Sequence, residues 1–193
     1  MNYPSGVKHN NNSTINYSNR GMTLEEELNS SNEYYREIDK AIIYKKPTPI
    51  KITKVDYPSR KGAKIEEAFF TTPSTTDYNG IYKGYYIDFE AKETKSKTSF
   101  SLNNIHSHQI DHLKRIKEHG GISFIIVRFT TINKTYLLET NPLCDFIDNN
   151  KRKSIPIEYF EKNGYLIKDS LKPVIDYLKV IDYLLEVNYG KRS

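Results

Sequence analysis

The run ISFIIVRF, Ile122 to Phe129, sets the tightest limit on what this chain can fold into. A continuous apolar run of strand length, rich in β-branched and aromatic residues, belongs to a strand buried on both faces. Such a strand needs partners on both edges and packed layers above and below. The rest of the sequence supplies them. Thr23 and Glu26 have capping-box spacing, and Leu24, Leu28, Ser31, Tyr35 and Ile38 then follow one stripe of a first helix. KKPTP (Lys45–Pro49) breaks that stripe. PIKITKVDY reads as a strand in which Ile50, Ile52 and Val55 alternate against Lys51 and Lys54. PSRKGAK (Pro58–Lys64) reads as a basic turn, and IEEAFF leads into the next strand. NNIHSHQIDHLKRIKEHGG (Asn103–Gly121) is a helix with a partial stripe of Ile105, Ile110 and Leu113 and a glycine stop. KTYLLET is a further strand and PVIDYLKVIDYLLEVNYG a terminal helix. With 193 residues, this order predicts one α/β domain around a mixed sheet.

Against that background DYNGIYKGYYIDFEAKE (Asp77–Glu93) stands out. YYIDFEAK has strand composition, yet Asp88, Glu90 and Lys92 occupy every second position and so project from one face. Ile87, Phe89 and Ala91 take the other face. A two-residue turn at Lys83–Gly84 would pair Tyr82 with Tyr85 and set Asp77 opposite Glu90, Thr75 opposite Lys92 and Asn79 opposite Asp88. A turn at Asn79–Gly80, the stronger turn dipeptide, is the competing register and would separate Asp77 from Glu90. Directly opposed residues have Cβ atoms about 4.5–5.5 Å apart, so in the first register two carboxylates repel at close range. A divalent cation between them removes the repulsion, and oxygen ligands from Asp and Glu suit Mg²⁺. Lys92 lies one pleat repeat beyond Glu90, placed to stabilise charge on a phosphoryl group. The set fits metal-assisted phosphodiester hydrolysis. The plain alternative is a solvated strand face with an incidental ion pair.

Composition narrows the partners. The formal net charge is +5, which favours a polyanion, with nucleic acid ahead of an acidic membrane surface. Basic residues gather as Lys45, Lys46, Lys51, Lys54, Arg60, Lys61 and Lys64, as Lys92, Lys95 and Lys97, and as Lys151, Arg152 and Lys153. These groups flank the acidic face, as phosphate-positioning contacts should. No basic helix has a strong apolar face, so a membrane role is remote. The single cysteine, Cys144, excludes an internal disulfide and fits a reducing cytoplasm, and no Cys/His spacing forms a zinc site. No apolar run reaches membrane-span length, and residues 1–20, rich in Asn and Ser, lack a signal-peptide core and read as a flexible tail before a domain over 21–193.

Asp77, twelve intervening residues and then Glu90-Ala91-Lys92 resembles the D…(D/E)xK pattern of restriction-endonuclease-like nucleases. SNRGMTLEEELN (Ser18–Asn29), YKKPTPIKI (Tyr44–Ile52), STTDYNGIYKGYYIDFEAKETKSKTSF (Ser74–Phe100) and HQIDH (His108–His112) resemble the RecU-type Holliday junction resolvases. The resemblance runs from about Ser18 into the C-terminal helix. It implies a restriction-endonuclease-like mixed β-sheet flanked by helices, with a protruding stalk within Lys51–Phe70. It implies a homodimer that cuts four-way branched DNA with Mg²⁺, for which Mn²⁺ can substitute, and recombination proteins as a further class of partner. Carried over by position, Asp77 and Glu90 are metal ligands, Thr75 and Gln109 contribute to the metal site, and Lys92 stabilises the transition state. Arg20 and Arg60 fall on positions associated with DNA handling, beside the basic Lys61 and Lys64. The N-terminal tail is shorter than is usual in the family.

Read without the resemblance, Gln109 is an ordinary exposed helical amide and Thr75 a β-former. Asp88 shares the acidic face outside the family pattern and is a candidate for supporting the ligands. Glu25 is a further acid that either approaches the metal or simply favours the first turn of its helix. His106, His108 and His112 are unlike Mg²⁺ ligands and read as surface or DNA-backbone residues. Two other functions compete with junction cutting: a site-specific endonuclease acting on linear duplex, and a non-catalytic module that binds branched DNA or a recombination protein.

Overall fold

A computed structural model describes residues 22–58, 62–71 and 75–189. Its centre is a six-stranded sheet in the order β1 (Ile42–Lys45), β4 (Tyr78–Tyr82), β5 (Tyr85–Thr94), β7 (Ile122–Phe129), β8 (Lys134–Glu139) and β10 (Tyr165–Ile167). β5 and β7 run parallel, and the other neighbours are antiparallel. Every residue of β7 is buried, as its unbroken apolar run requires. Its side chains divide strictly between two cores. Ile122, Phe124 and Ile126 pack with α1 (Leu24–Glu37) and α5 (Leu178–Tyr189), while Ile125, Val127 and Phe129 pack with α2 (Ser107–Glu118), α3 (Thr140–Asn149) and α4 (Ile157–Asn163). No helix among the described residues is long and apolar enough to cross a membrane.

Local chemistry sets the elements. Thr23 caps α1 in a capping box with Glu26, and Leu24, Leu28, Ser31 and Tyr35 are buried along its inner stripe. Ile38 leaves the stripe, because the helix has already ended there, and is half exposed. α1 is also tied to the sheet by a buried ion pair, Arg128 Nη2 to Glu27 Oε2 at 2.5 Å. The second helix is shorter than its sequence segment: Leu102–Asn104 forms a separate 3₁₀ turn before α2 begins at Ser107. α3, α4, β1 and β10, the short β6 (Ser99–Ser101) and β9 (Ser154–Pro156), and β3 (Lys64–Phe70), read from sequence only as a lead into the next strand, add to the three helices and five strands expected from pattern.

The β4–β5 hairpin turns at Lys83–Gly84, both with positive φ (50° and 79°), which matches the right-handed twist of paired strands. Its pairs run from Tyr82↔Tyr85 to Tyr78↔Phe89. The Asn79–Gly80 register is excluded. Gly80 lies inside β4, where β1 passes so closely that a Cβ would sit 2.1 Å from the Ile42 carbonyl oxygen.

β2 (Ile50–Asp56) and β3 (Lys64–Phe70) pair only with each other. Their residues are exposed almost throughout, including Ile50, Ile52, Phe69 and Phe70. The ribbon's base is closed by a hydrogen bond from Thr71 N–H to the Pro49 carbonyl, 3.1 Å.

Candidate nuclease site

β5 carries the site because its two faces have opposite chemistry. Toward α1 and α5, Phe89 is stacked between Tyr78 and Phe124, with centroids 4.7 and 4.9 Å apart. These rings hold the strand against the core. Toward α2, parallel pairing sets Asp88, Glu90 and Lys92 beside Ser123, Ile125 and Val127 of β7. The face shared by β7 and β8 is apolar, and it becomes acidic on reaching β5.

Asp77 lies just before β4, its N–H donating to Glu90 Oε2 at 3.1 Å. Glu90 is fully buried, and Lys92 forms an ion pair with its Oε1. No hydrogen bond of ordinary geometry completes that oxygen. Burial first, and then the nearby Asp77, push the Glu90 carboxyl up to about 7, against the pull of Lys92. Two crowded carboxylates, one with an incompletely satisfied oxygen, form a donor set that suits a hard divalent cation. Mg²⁺ needs only one or two carboxylates and keeps several waters. Among the described residues no group of three or more His, Cys, Asp and Glu side chains gathers as a cage.

The remaining candidates differ in where they fall. Thr75 is half-buried in the segment leading to Asp77. Gln109 is buried, not exposed as the helix alone suggests. Its Oε1 accepts the His106 backbone N–H at 3.0 Å and so caps α2. Glu25 lines a groove of about 300 Å³ with Asp77 and Lys92, where its carboxylate is ion-paired with Lys45. Lys64 begins β3 on the ribbon, away from the acids in sequence and exposed. Arg20, Arg60 and Lys61 lie outside the described residues, as does the tail over 1–20.

Asp88, offered by the sequence as an acid that supports the ligands, sits at the centre of a side-chain network. It is fully buried and receives four side chains. Lys46 Nζ is 2.7 Å and Tyr86 Oη 3.1 Å from Oδ2, and the Thr76 hydroxyl donates to Oδ1. His112 Nε2 is 3.2 Å from Oδ2, which draws this partly exposed histidine into the same side-chain network. Sequence reasoning counts Lys46 among the phosphate-positioning cations, whereas its Nζ turns inward to Asp88, and it passes over Thr76 and Tyr86. Tyr86 has a signal, since it shares the period-two face of Asp88.

Comparison with known proteins gives the chain its family. The family model described as "Recombination protein U" matches residues 19–183. A protein of Geobacillus sp. (strain WCH70) called Holliday junction resolvase RecU is 56% identical over 170 residues, covering 86% of this chain and 85% of its own. A Staphylococcus carnosus (strain TM300) protein of the same name is 50% identical over 200 residues, covering 96% of each. Among solved structures, Archaeoglobus fulgidus Hjc, a Holliday junction resolvase, gives a TM-score of 0.41 at 11% identity, covering 70% of this chain and 91% of the other. With relatives at this identity over nearly the full length, and the family model spanning most of the domain, the chain belongs to the RecU family.

Proposed function

We propose that this chain is a structure-selective DNA endonuclease that resolves four-way junctions as a homodimer, using Mg²⁺, or Mn²⁺ in its place. The observation that carries the reading is the crowded pair Asp77 and Glu90 with Lys92 beside it, on one hairpin of a chain whose relatives are named junction resolvases. Asp77 and Glu90 hold the cation, with Thr75 and Gln109 offering neutral oxygens nearby. When bound, the cation neutralises charge at the scissile phosphate and makes hydrolytic water more acidic. Lys92 then offers an ammonium to the phosphoryl oxygens as negative charge builds there. The acids fix where the cut falls, and the basic groups fix the backbone register.

The β2–β3 ribbon is the stalk in this reading. Lys51, Lys54 and Lys64 give it phosphate contacts, and Thr71 and Pro49 close its base. Arg60 and Lys61, between the two strands in sequence, and Arg20, ahead of α1 in sequence, complete the DNA-binding set in this reading. Glu25 and Asp88 support the ligands without holding the cation.

The test is cleavage of a synthetic four-way junction against a linear duplex, each with Mg²⁺ and with chelator. Junction cutting that requires the metal is expected. Asp77→Asn keeps shape but removes charge, so cutting should fall by about three orders of magnitude or more. Junction binding should keep its affinity and salt dependence, because Lys and Arg contacts to phosphate carry it. Fixed-sequence cutting of linear duplex, or binding without any cutting, would refute the resolvase reading.

A further inference from the structure

Lys46 reaches the candidate site from two directions. Its backbone N–H donates to the Asp77 carbonyl at 2.7 Å, extending the β1–β4 ladder one step past Lys45↔Tyr78. Its Nζ meets Asp88 Oδ2 at 2.7 Å and Thr76 Oγ1 at 2.9 Å, and the Thr76 hydroxyl donates to the other oxygen of Asp88. One residue therefore grips the main chain of Asp77 and, through Asp88, the side chain of the residue before it.

The sequence prepares this grip. Pro47 keeps Lys46 in extended backbone. That conformation continues the strand and turns the long side chain along the sheet. Asp88 is wholly buried and the Lys46 side chain nearly so, at 18% exposed. A buried ion pair contributes little stability beyond what an apolar pair of the same volume would give. Its demand for fixed geometry is what distinguishes it. Here it fixes Thr75–Asp77, a segment outside any strand that carries one proposed ligand at each end.

We infer that Lys46 and Asp88 form a positioning pair that holds the Thr75–Asp77 segment in metal-binding geometry without touching metal or DNA. The inference rests on the proposed metal site at Asp77 and Glu90. It requires that loss of either partner loosen Asp77 while the phosphate-binding surface stays intact. Removing groups that orient metal ligands commonly weakens metal binding about 10- to 100-fold.

The experiment measures Mn²⁺ binding by calorimetry and by Mn²⁺ electron paramagnetic resonance, with junction affinity and kcat on the same preparations. Lys46→Met and Asp88→Asn should each weaken Mn²⁺ binding about 10- to 100-fold and lower kcat. Junction Kd in chelator should not change. Lys46→Arg, which retains charge and donors, should restore most of the loss. Where a single variant does not fold, the double variant Lys46→Met/Asp88→Leu removes both buried charges together and should fold with the same weakened Mn²⁺ binding. Parental Mn²⁺ binding in folded variants would overturn the proposal. So would failure of the double variant to fold, since the pair would then serve stability. Asp77→Asn in parallel separates the two readings. If it binds Mn²⁺ like the parent, the metal site itself is misplaced. If it loses Mn²⁺ while the Lys46 and Asp88 variants do not, only the positioning role fails.

Discussion

Glu90 is a carboxylate kept where charge is costly. Burial, with Asp77 adding to it, raises its carboxyl from an ordinary 4.5 to about 7 in the metal-free protein. An acid raised on folding binds more protons in the folded chain than in the unfolded one between those values. Metal-free stability therefore falls as pH rises from about 4.5 to about 7, and the full penalty is present above that. Glu90→Gln cannot ionise and escapes the penalty. In chelator at pH 8 the variant should be more stable than the parent by on the order of 1–3 kcal/mol, and the difference should vanish near pH 4. Urea melts at the two pH values measure it, and equal stability at pH 8 would contradict the raised carboxyl. At this scale the charged trio is legible in sequence, because Asp77, Glu90 and Lys92 belong to one hairpin with a period of two. The Asp88 network is not. Lys46, Thr76 and His112 come from three separate segments, and Lys46 lies 42 residues from Asp88 in sequence. No local pattern announces their meeting.

Elements divide between those that fill the core and those that leave it. The β2–β3 ribbon is exposed along both strands, so it contributes little buried apolar area to the domain. Pro49 and Thr71 are already hydrogen-bonded across its base. A short Gly-Ser turn in place of residues 50–70 should therefore leave the core's Tm within a few degrees of the parent, a change of about 1 kcal/mol or less. Junction preference over linear duplex should be lost. Retained preference in a competition gel shift would remove the ribbon's proposed role. The ribbon's first strand is visible in sequence from its alternation, whereas IEEAFF reads only as a lead into the next strand. α3 is not, because Pro142 reads as a breaker, although proline is tolerated in a first helical turn. α4 with seven residues, and β10 with three, are too short to show a period.

The described residues bring one acid pair to the proposed site, and symmetric resolution of a junction needs two cuts. A homodimer with two-fold symmetry supplies the second site. Sedimentation at micromolar concentration, with and without a junction, should give a dimer, and a monomer in both would count against paired cutting. The fold also orders events in time. The hairpin that carries Glu90 closes through two residues, whereas β5 meets β7 only after α2 has been spanned, and loop closure slows as contacts become less local. The hairpin is then expected to nucleate the sheet, with the acids converging before β1 delivers Lys46. Gly84 has φ of 79°, which alanine adopts only with strain. Gly84→Ala should slow refolding several-fold in stopped-flow mixing while unfolding keeps nearly its parental rate. An unchanged refolding rate with faster unfolding would mean that the turn forms late, after the sheet has already chosen its partners.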